Sequence, residues 1–407
     1  MRSSSLLACL AAADHVLGLA CPARTNAIKQ IELGPRPYFL VDKMSDGPLK
    51  TNLSACENQD MKPSAWSIGH RGGAPLHFPE HSKESNLAGA RMGAGTLECD
   101  VAFTKDLELV CRHSQCDLHT TTDIVTVPEL NAKCTQPFQP AANGTPASAK
   151  CCTSDITLAE FKTLCAKMDG FNATATNANE RALPAGAQNC MPLAAPSWTT
   201  PSTFIALVEE LGLRHSPELK QPMVPMPFQG NYTKEMYAQQ LIDNYKKAGV
   251  LAQTFEYDVA LYWLESDPKF GGNAILLDES GNTPETYDGA IANLTRYAED
   301  GVQIVAPPLY YLVESQNGTI VPSEYAKRAN ALGLKIITWS LERSGPLAGV
   351  HANGDYYYTS VKDIVTGDGD MYELVDVLHK QVGVVGMFSD WAATTTFYAN
   401  CFRIDVE

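Results

Sequence analysis

The chain has 407 residues and a formal net charge of −15 at pH 7. That is too long for one minimal domain, and it leaves room for two domains or for one large α/β barrel with insertions. The charge argues against nucleic acid as a partner, because such a surface needs a basic stripe, and a hydrophobic share of 44% excludes a disordered chain.

In chain order, the first feature concerns destination. Arg2 is followed by a short apolar run from Leu6 to Ala13 and by small residues near Ala20 and Ala23. Residues 1–23 therefore read as a secretory signal peptide, too short for a membrane span. No later run approaches the ~20 apolar residues that a spanning helix needs, so stable membrane insertion is not expected. Twelve cysteines suit an oxidising compartment. Six N-x-Ser/Thr sequons, at Asn52, Asn143, Asn172, Asn231, Asn293 and Asn317, agree with an extracellular or cell-wall glycoprotein carrying N-glycans. Cys134, Cys151, Cys152, Cys165 and Cys190 cluster in one loop-rich region, and Cys111 and Cys116 bracket "RHSQ". No paired C-x-x-C spacing supports zinc, so disulfides are expected. Cys99, inside a predicted strand, is expected to be a buried free thiol.

Residues 24–64 read as an irregular N-terminal arm. Strands and helices then alternate. Trp66–His70 is a strand, Ser82–Met92 a helix, Thr96–Val101 a strand and Leu107–His113 an extended piece. Leu158–Lys167 and Ser202–Leu211 have helical apolar spacing, and a strand ends near Glu218. Short apolar runs start at Val250, Ala274, Val302, Lys335 and Val384, with helical stretches Tyr232–Ala248, Tyr287–Ala298 and Glu324–Leu332 between them. About eight strand–helix units in one direction predict a parallel α/β fold, best matched by a (β/α)8 TIM barrel over residues 65–395. Residues 128–201 break the rhythm and read mostly as a Cys-rich, disulfide-stapled insertion; 396–407 read as a C-terminal tail. A doubly wound open sheet is the second choice, but "GHRGGAP" after the first strand is not the G-x-G-x-x-G loop such a sheet usually carries.

Barrel chemistry sits at the C-terminal ends of strands. There the sequence places His70 and Arg71, then Glu98 and Asp100, then Glu218 and Lys220, with His113 after the extended piece. Residues i and i+2 of a strand share a face, so Glu98 and Asp100 point together into the mouth while Cys99 points outward. Three carboxylates, Glu98, Asp100 and Glu218, form a hard oxygen site suited to Mg2+ or Ca2+. Arg71 and Lys220 suit phosphate oxygens, and His70 and His113 suit acid–base work, with the assignment between them open. Each motif alone has a bland reading, as a chance E-x-D, a salt bridge or a satisfied histidine; His77, His81, His119 and His215 are left in that class.

The block "HRGG…PEHSKES…GAGTLECDVAFTKDLELVCRH", with "CRHSQCDLHTTTDI" after it, closely resembles the glycerophosphodiester phosphodiesterase family, and its fungal-type secreted members in particular. The matching residues are His70-Arg71-Gly72, Pro79-Glu80, Glu98-x-Asp100-Val101, Thr104-Lys105-Asp106, His113 and Glu218-x-Lys220. "ITWSLE" with Trp339 and "MFSD" with Asp390 are similar to the family's late strands. The resemblance implies a TIM barrel that uses a divalent metal to hydrolyse a small glycerophosphodiester to sn-glycerol 3-phosphate and an alcohol, with a cyclic phosphate as a conceivable intermediate. It leaves Glu80 as a metal ligand or as a residue that orients Arg71, with the supporting role preferred, and it allows an apolar wall at Trp339 and Phe255, although core packing is the first expectation for Phe255. Two departures stand out: His81-Ser82 replaces the usual Asn-Thr, and Ser114 replaces the Asp that usually follows the second histidine. Two alternatives remain open: a phospholipase D-like lyase that releases cyclic phosphate from lysophospholipids, and an inactive secreted binding barrel.

Overall fold

The computed structural model describes residues 28, 30–182, 199–246, 250–354 and 356–406. The predicted signal peptide and Cys190 lie outside the described residues. Eight parallel strands make the barrel: β1 (Ser64–Gly69), β2 (Ala94–Phe103), β3 (Arg214–Leu219), β4 (Gln253–Thr254), β5 (Ile275–Leu277), β6 (Ile304–Ala306), β7 (Lys335–Leu341) and β8 (Gly386–Ser389). Each pairs with the next, and β8 pairs back onto β1, so the sheet is closed rather than open. Helices Lys83–Arg91, Pro201–Leu211, Lys234–Asn244, Tyr257–Ser266, Pro284–Glu299, Glu324–Ala331, Met371–Val377 and Ala392–Phe402 follow the strands in turn.

The period-2 pattern separates two apolar layers. Ile275, Leu277, Ile304, Ala306 and Ile337 pack with Ile68 and Phe388 inside the barrel. Their neighbours Leu276, Val305 and Ile336 belong to the larger core between sheet and helices. On β2, Leu97, Cys99 and Val101 join that outer core, which leaves Glu98 and Asp100 to the interior.

Several elements differ from expectation. The "VLAQTFE" run yields a strand of only two residues. The helix expected over 158–167 stops at Phe161. The N-terminal arm is not irregular: it carries helices Arg36–Lys43 and Pro48–Ala55. The supposed tail begins inside the buried helix Ala392–Phe402. Cys99 is not a free thiol but is bonded to Cys111. Cys116–Cys152 and Cys134–Cys151 crosslink a loop-rich region that begins before the expected 128–201 insertion, with a small core of its own that joins Leu118 and Ile124 to Phe161. Cys56–Cys401 ties the arm to the last helix across 345 residues. A crosslink closing so long a loop restricts the unfolded chain strongly. Cys56→Ser with Cys401→Ser is therefore expected to cost about 2–5 kcal/mol, read as a lowered denaturation midpoint; an unchanged midpoint would remove this crosslink from the stability argument.

Candidate active site

At the C-terminal end of the barrel a cavity of about 240 Å3 is lined by His70, Arg71, Glu98, His113, Glu218, Lys220, Gln253, Phe255, Leu277, Glu279, Trp339, Tyr356, Tyr357 and Phe388. Sheet register builds its acidic part. Asp100 stands beside Glu218, and Glu218 beside Gln253, on three successive strands. Glu98 lies two residues before Asp100 on the same face. One oxygen from each of Glu98, Asp100 and Glu218 falls within 4.8 Å of the others, and all three residues are buried.

Three buried carboxylates this close repel one another. Burial, then Asp100 and Glu218, push the Glu98 carboxyl well above the usual range. Burial likewise pushes Glu218 up to about 8, against the pull of Lys220. Asp100 is held well below its ordinary value, because the charges of His81 and Lys220 outweigh its burial. Donors are few. Glu98 accepts from the backbone N–H of Arg71 (2.7 Å) and from Gln253 Nε2 (3.0 Å). Lys220 Nζ is 2.6 Å from Glu218. The buried Oδ1 of Asp100 has no hydrogen-bond partner. An oxygen-only donor set with excess negative charge and an orphaned carboxylate oxygen fits a hard divalent cation such as Mg2+ or Ca2+.

Beside this group the loop after β1 presents His70 and Arg71. The turn is tight: Arg71 has φ 51°, and a Cβ on Gly72 (φ +100°) would lie 2.7 Å from Ser85 Oγ. Only glycine fits there, because helix Lys83–Arg91 packs directly under the loop. His70 Nδ1 is hydrogen-bonded to Asp390 Oδ1, and Ser340 Oγ is 3.2 Å from the same nitrogen. Asp390 is itself held by Arg343 at 3.0 Å. Burial pushes the His70 imidazole below its ordinary value, against the pull of Asp390.

Arg71 Nη1 donates to Glu80 Oε2 (2.7 Å), and Nη2 lies 2.9 Å from His113 Nε2. A guanidinium can only donate, so His113 Nε2 is the acceptor and carries no proton in this arrangement. Burial, with Arg71 and Lys220 next, pushes His113 well below the ordinary histidine range. The His70 and His113 rings stand 6.3 Å apart. His113 owes its place to the strand Leu109–Cys111, which runs antiparallel to β2 and is locked to it by Cys99–Cys111.

The residues singled out from the sequence therefore come together, and Glu80 contacts Arg71 with one oxygen and Arg112, at 3.0 Å, with the other. Asp117, three residues after Ser114, accepts from the Ser114 backbone N–H (3.0 Å) and from Arg112 (3.2 Å). One bland reading holds and one is corrected. His81 is fully buried, and its Nε2 lies 2.8 Å from Asp100 Oδ2. Phe255 is not core: it is 38% exposed and packs edge-to-face on Trp339 at the cavity rim. Sequence reasoning did not give roles to Asp390 or Gln253. Both stand at or just beyond a C-terminal strand end, the signal that found the other residues.

Known proteins resemble this chain in family and in fold. The model of the glycerophosphoryl diester phosphodiesterase family matches residues 70–393. A protein of Arthroderma benhamiae named "Extracellular protein" is 42% identical over 245 residues, covering 58% of this chain and 100% of that relative. A crystal structure from Silicibacter pomeroyi, named for a glycerophosphoryl diester phosphodiesterase, is similar in fold with a TM-score of 0.53 at 15% identity, covering 86% of this chain and 98% of that one.

Proposed function

The chain belongs to the glycerophosphoryl diester phosphodiesterase family, and from that membership and the site geometry we propose that it hydrolyses small glycerophosphodiesters to sn-glycerol 3-phosphate and an alcohol outside the cell. The observation that carries the reading is the apposition of the buried Glu98–Asp100–Glu218 group to a His70–His113 pair across one cavity.

Glu98, Asp100 and Glu218 would hold a divalent cation, which would supply Lewis-acid stabilisation of charge on the phosphate. Arg71 and Lys220 bind the phosphate oxygens, Arg71 kept in place by Glu80. His113 starts with an unprotonated Nε2 and takes the proton of the attacking hydroxyl. His70, its Nδ1 held by Asp390, is the acid: its Nε2 gives a proton to the departing alkoxide oxygen, and Asp390 offsets without reversing the burial that disfavours the imidazolium. The attacking hydroxyl is that of water or the substrate's own glycerol 2-OH. In the second case water opens the cyclic ester with the two histidines in exchanged roles.

Several observations support secretion: four disulfides, an extracellular relative, and six sequon asparagines none of which is buried. No helix among the described residues is long and apolar enough to cross a membrane.

Glycerophosphocholine incubated with the enzyme and Mg2+ or Ca2+ is expected to give sn-glycerol 3-phosphate, followed by phosphorus NMR. Accumulation of a persistent cyclic phosphate would replace the hydrolase by the lyase. Binding without turnover in either metal would leave only the binding barrel.

A further inference from the structure

The floor of the cavity accounts for a glycerophosphate, but its rim does not belong to that chemistry. Resting on the phosphodiesterase reading above, we propose that the rim is a cage for a quaternary ammonium group, so that the favoured substrates are diesters of a choline-like cationic alcohol.

Four aromatic side chains line the rim: Phe255, Trp339, Tyr357 and Tyr356. Successive ring centroids are 5.8, 6.1 and 4.7 Å apart, with interplanar angles of 83°, 82° and 68°. Rings set so steeply to one another form corners, and a cation in a corner meets more than one π surface within the ~6 Å over which the attraction acts. The walls are held in place. Trp339 Nε1 donates to the carbonyl of Ala306 at 2.8 Å, and Tyr356 Oη donates to Glu279 Oε1 at 2.5 Å. Tyr356 is 43% exposed, so the cage opens to solvent on the side from which a head group would enter.

Charge divides the cavity in the same sense. Its basic side chains, Arg71, Lys220 and the two histidines, sit with the carboxylates of the floor. Among the described residues that line the rim, Glu279 is the one carboxylic acid and none is a base, while the charges of Arg71 and Arg343 reach Tyr357 from outside it. Lys220 Nζ already lies 5.7 Å from the centre of the Phe255 ring, which marks that ring as the boundary between the two halves. A weakly hydrated trimethylammonium gains from aromatic faces and a nearby carboxylate without needing hydrogen bonds. A polyol such as inositol would leave several hydroxyls without partners against these rings.

The decisive comparison is between glycerophosphocholine and its neutral carbon isostere, the glycerophospho-3,3-dimethylbutyl ester. The two have the same shape and reacting atoms and differ only in the charge of one centre. We expect kcat/KM to favour the choline ester by about 10-fold or more. The ratio should fall towards one in Tyr356→Leu and in Glu279→Gln. A ratio is insensitive to the fraction of folded enzyme, so a poorly folding variant still reports. Equal rates in the wild type would overturn the cage and leave the phosphodiesterase intact. If neither ester is hydrolysed, the phosphodiesterase reading falls, and calorimetric titration with choline and with 3,3-dimethylbutanol decides the cage separately. Binding of choline alone would sustain it, and equal or absent binding of both would overturn it.

Discussion

Glu98→Gln is expected to lower kcat/KM by about a thousandfold, and EDTA is expected to do the same to the wild type. Glu98, Asp100 and Glu218 are three buried acids with few donors among them, and the substitution removes the negative charge of one of the three groups that can hold a cation. The same crowding gives a signature independent of turnover. Without metal, the raised carboxyls of Glu98 and Glu218 mean that the folded protein retains protons the unfolded chain releases. Their contribution is therefore most favourable at low pH and is lost as the pH rises from the ordinary glutamate range through about 8, the value for Glu218. At pH 8 and without metal, Glu98→Gln should melt at or above the wild type, and the gap should shrink at pH 5. Adding Ca2+ or Mg2+ should raise the melting temperature of the wild type and not that of the variant, since only a bound ligand stabilises by mass action. A variant that melts below the wild type in metal-free buffer at pH 8 would mean that the three carboxylates are not in conflict.

His70→Ala and His113→Ala should each cost about 10²- to 10⁴-fold on an alkyl diester such as glycerophosphocholine. The two are expected to part company on an activated diester with a p-nitrophenol leaving group. A general acid matters when the departing oxygen is a strong base and little when it leaves unaided. His70, backed by Asp390 at Nδ1, is assigned the acid, so His70→Ala should recover most of its deficit on the activated substrate. His113, whose Nε2 accepts from Arg71, is assigned the base, so His113→Ala should remain slow on both. Asp390→Asn should follow His70→Ala, because it withdraws support for the imidazolium without removing the ring. The opposite pattern would exchange the roles and make the Arg71–His113 contact a feature of the substrate-free enzyme only.

The sequence alone determined what depends on period and order. Alternating apolar residues on short strands, each followed by a helix, leave a parallel closed sheet as the economical way to bury both layers. The i, i+2 spacing of Glu98 and Asp100 sends both to the interior wherever that strand lies. The strand-end rule then brings His70, Arg71, Glu218 and Lys220 to one mouth, since every parallel strand ends on the same side. What the sequence could not decide were distances between residues remote along the chain. The pairing of Cys99 with Cys111 depends on an antiparallel return of the chain, which puts His113 within 6.3 Å of His70. Asp390 reaches His70 only because the barrel closes, with β8 beside β1 across 320 residues of sequence. His81 read as a satisfied or a surface histidine because a single histidine has no period; burial beside Asp100 makes it the first. Phe255 looked like core for the same reason, since an aromatic side chain in an apolar run is equally suited to packing and to a rim. Local pattern fixes which way a side chain faces, whereas contact between distant segments is a property of the closed barrel, and the His70–Asp390 hydrogen bond and the aromatic rim are both of that second kind.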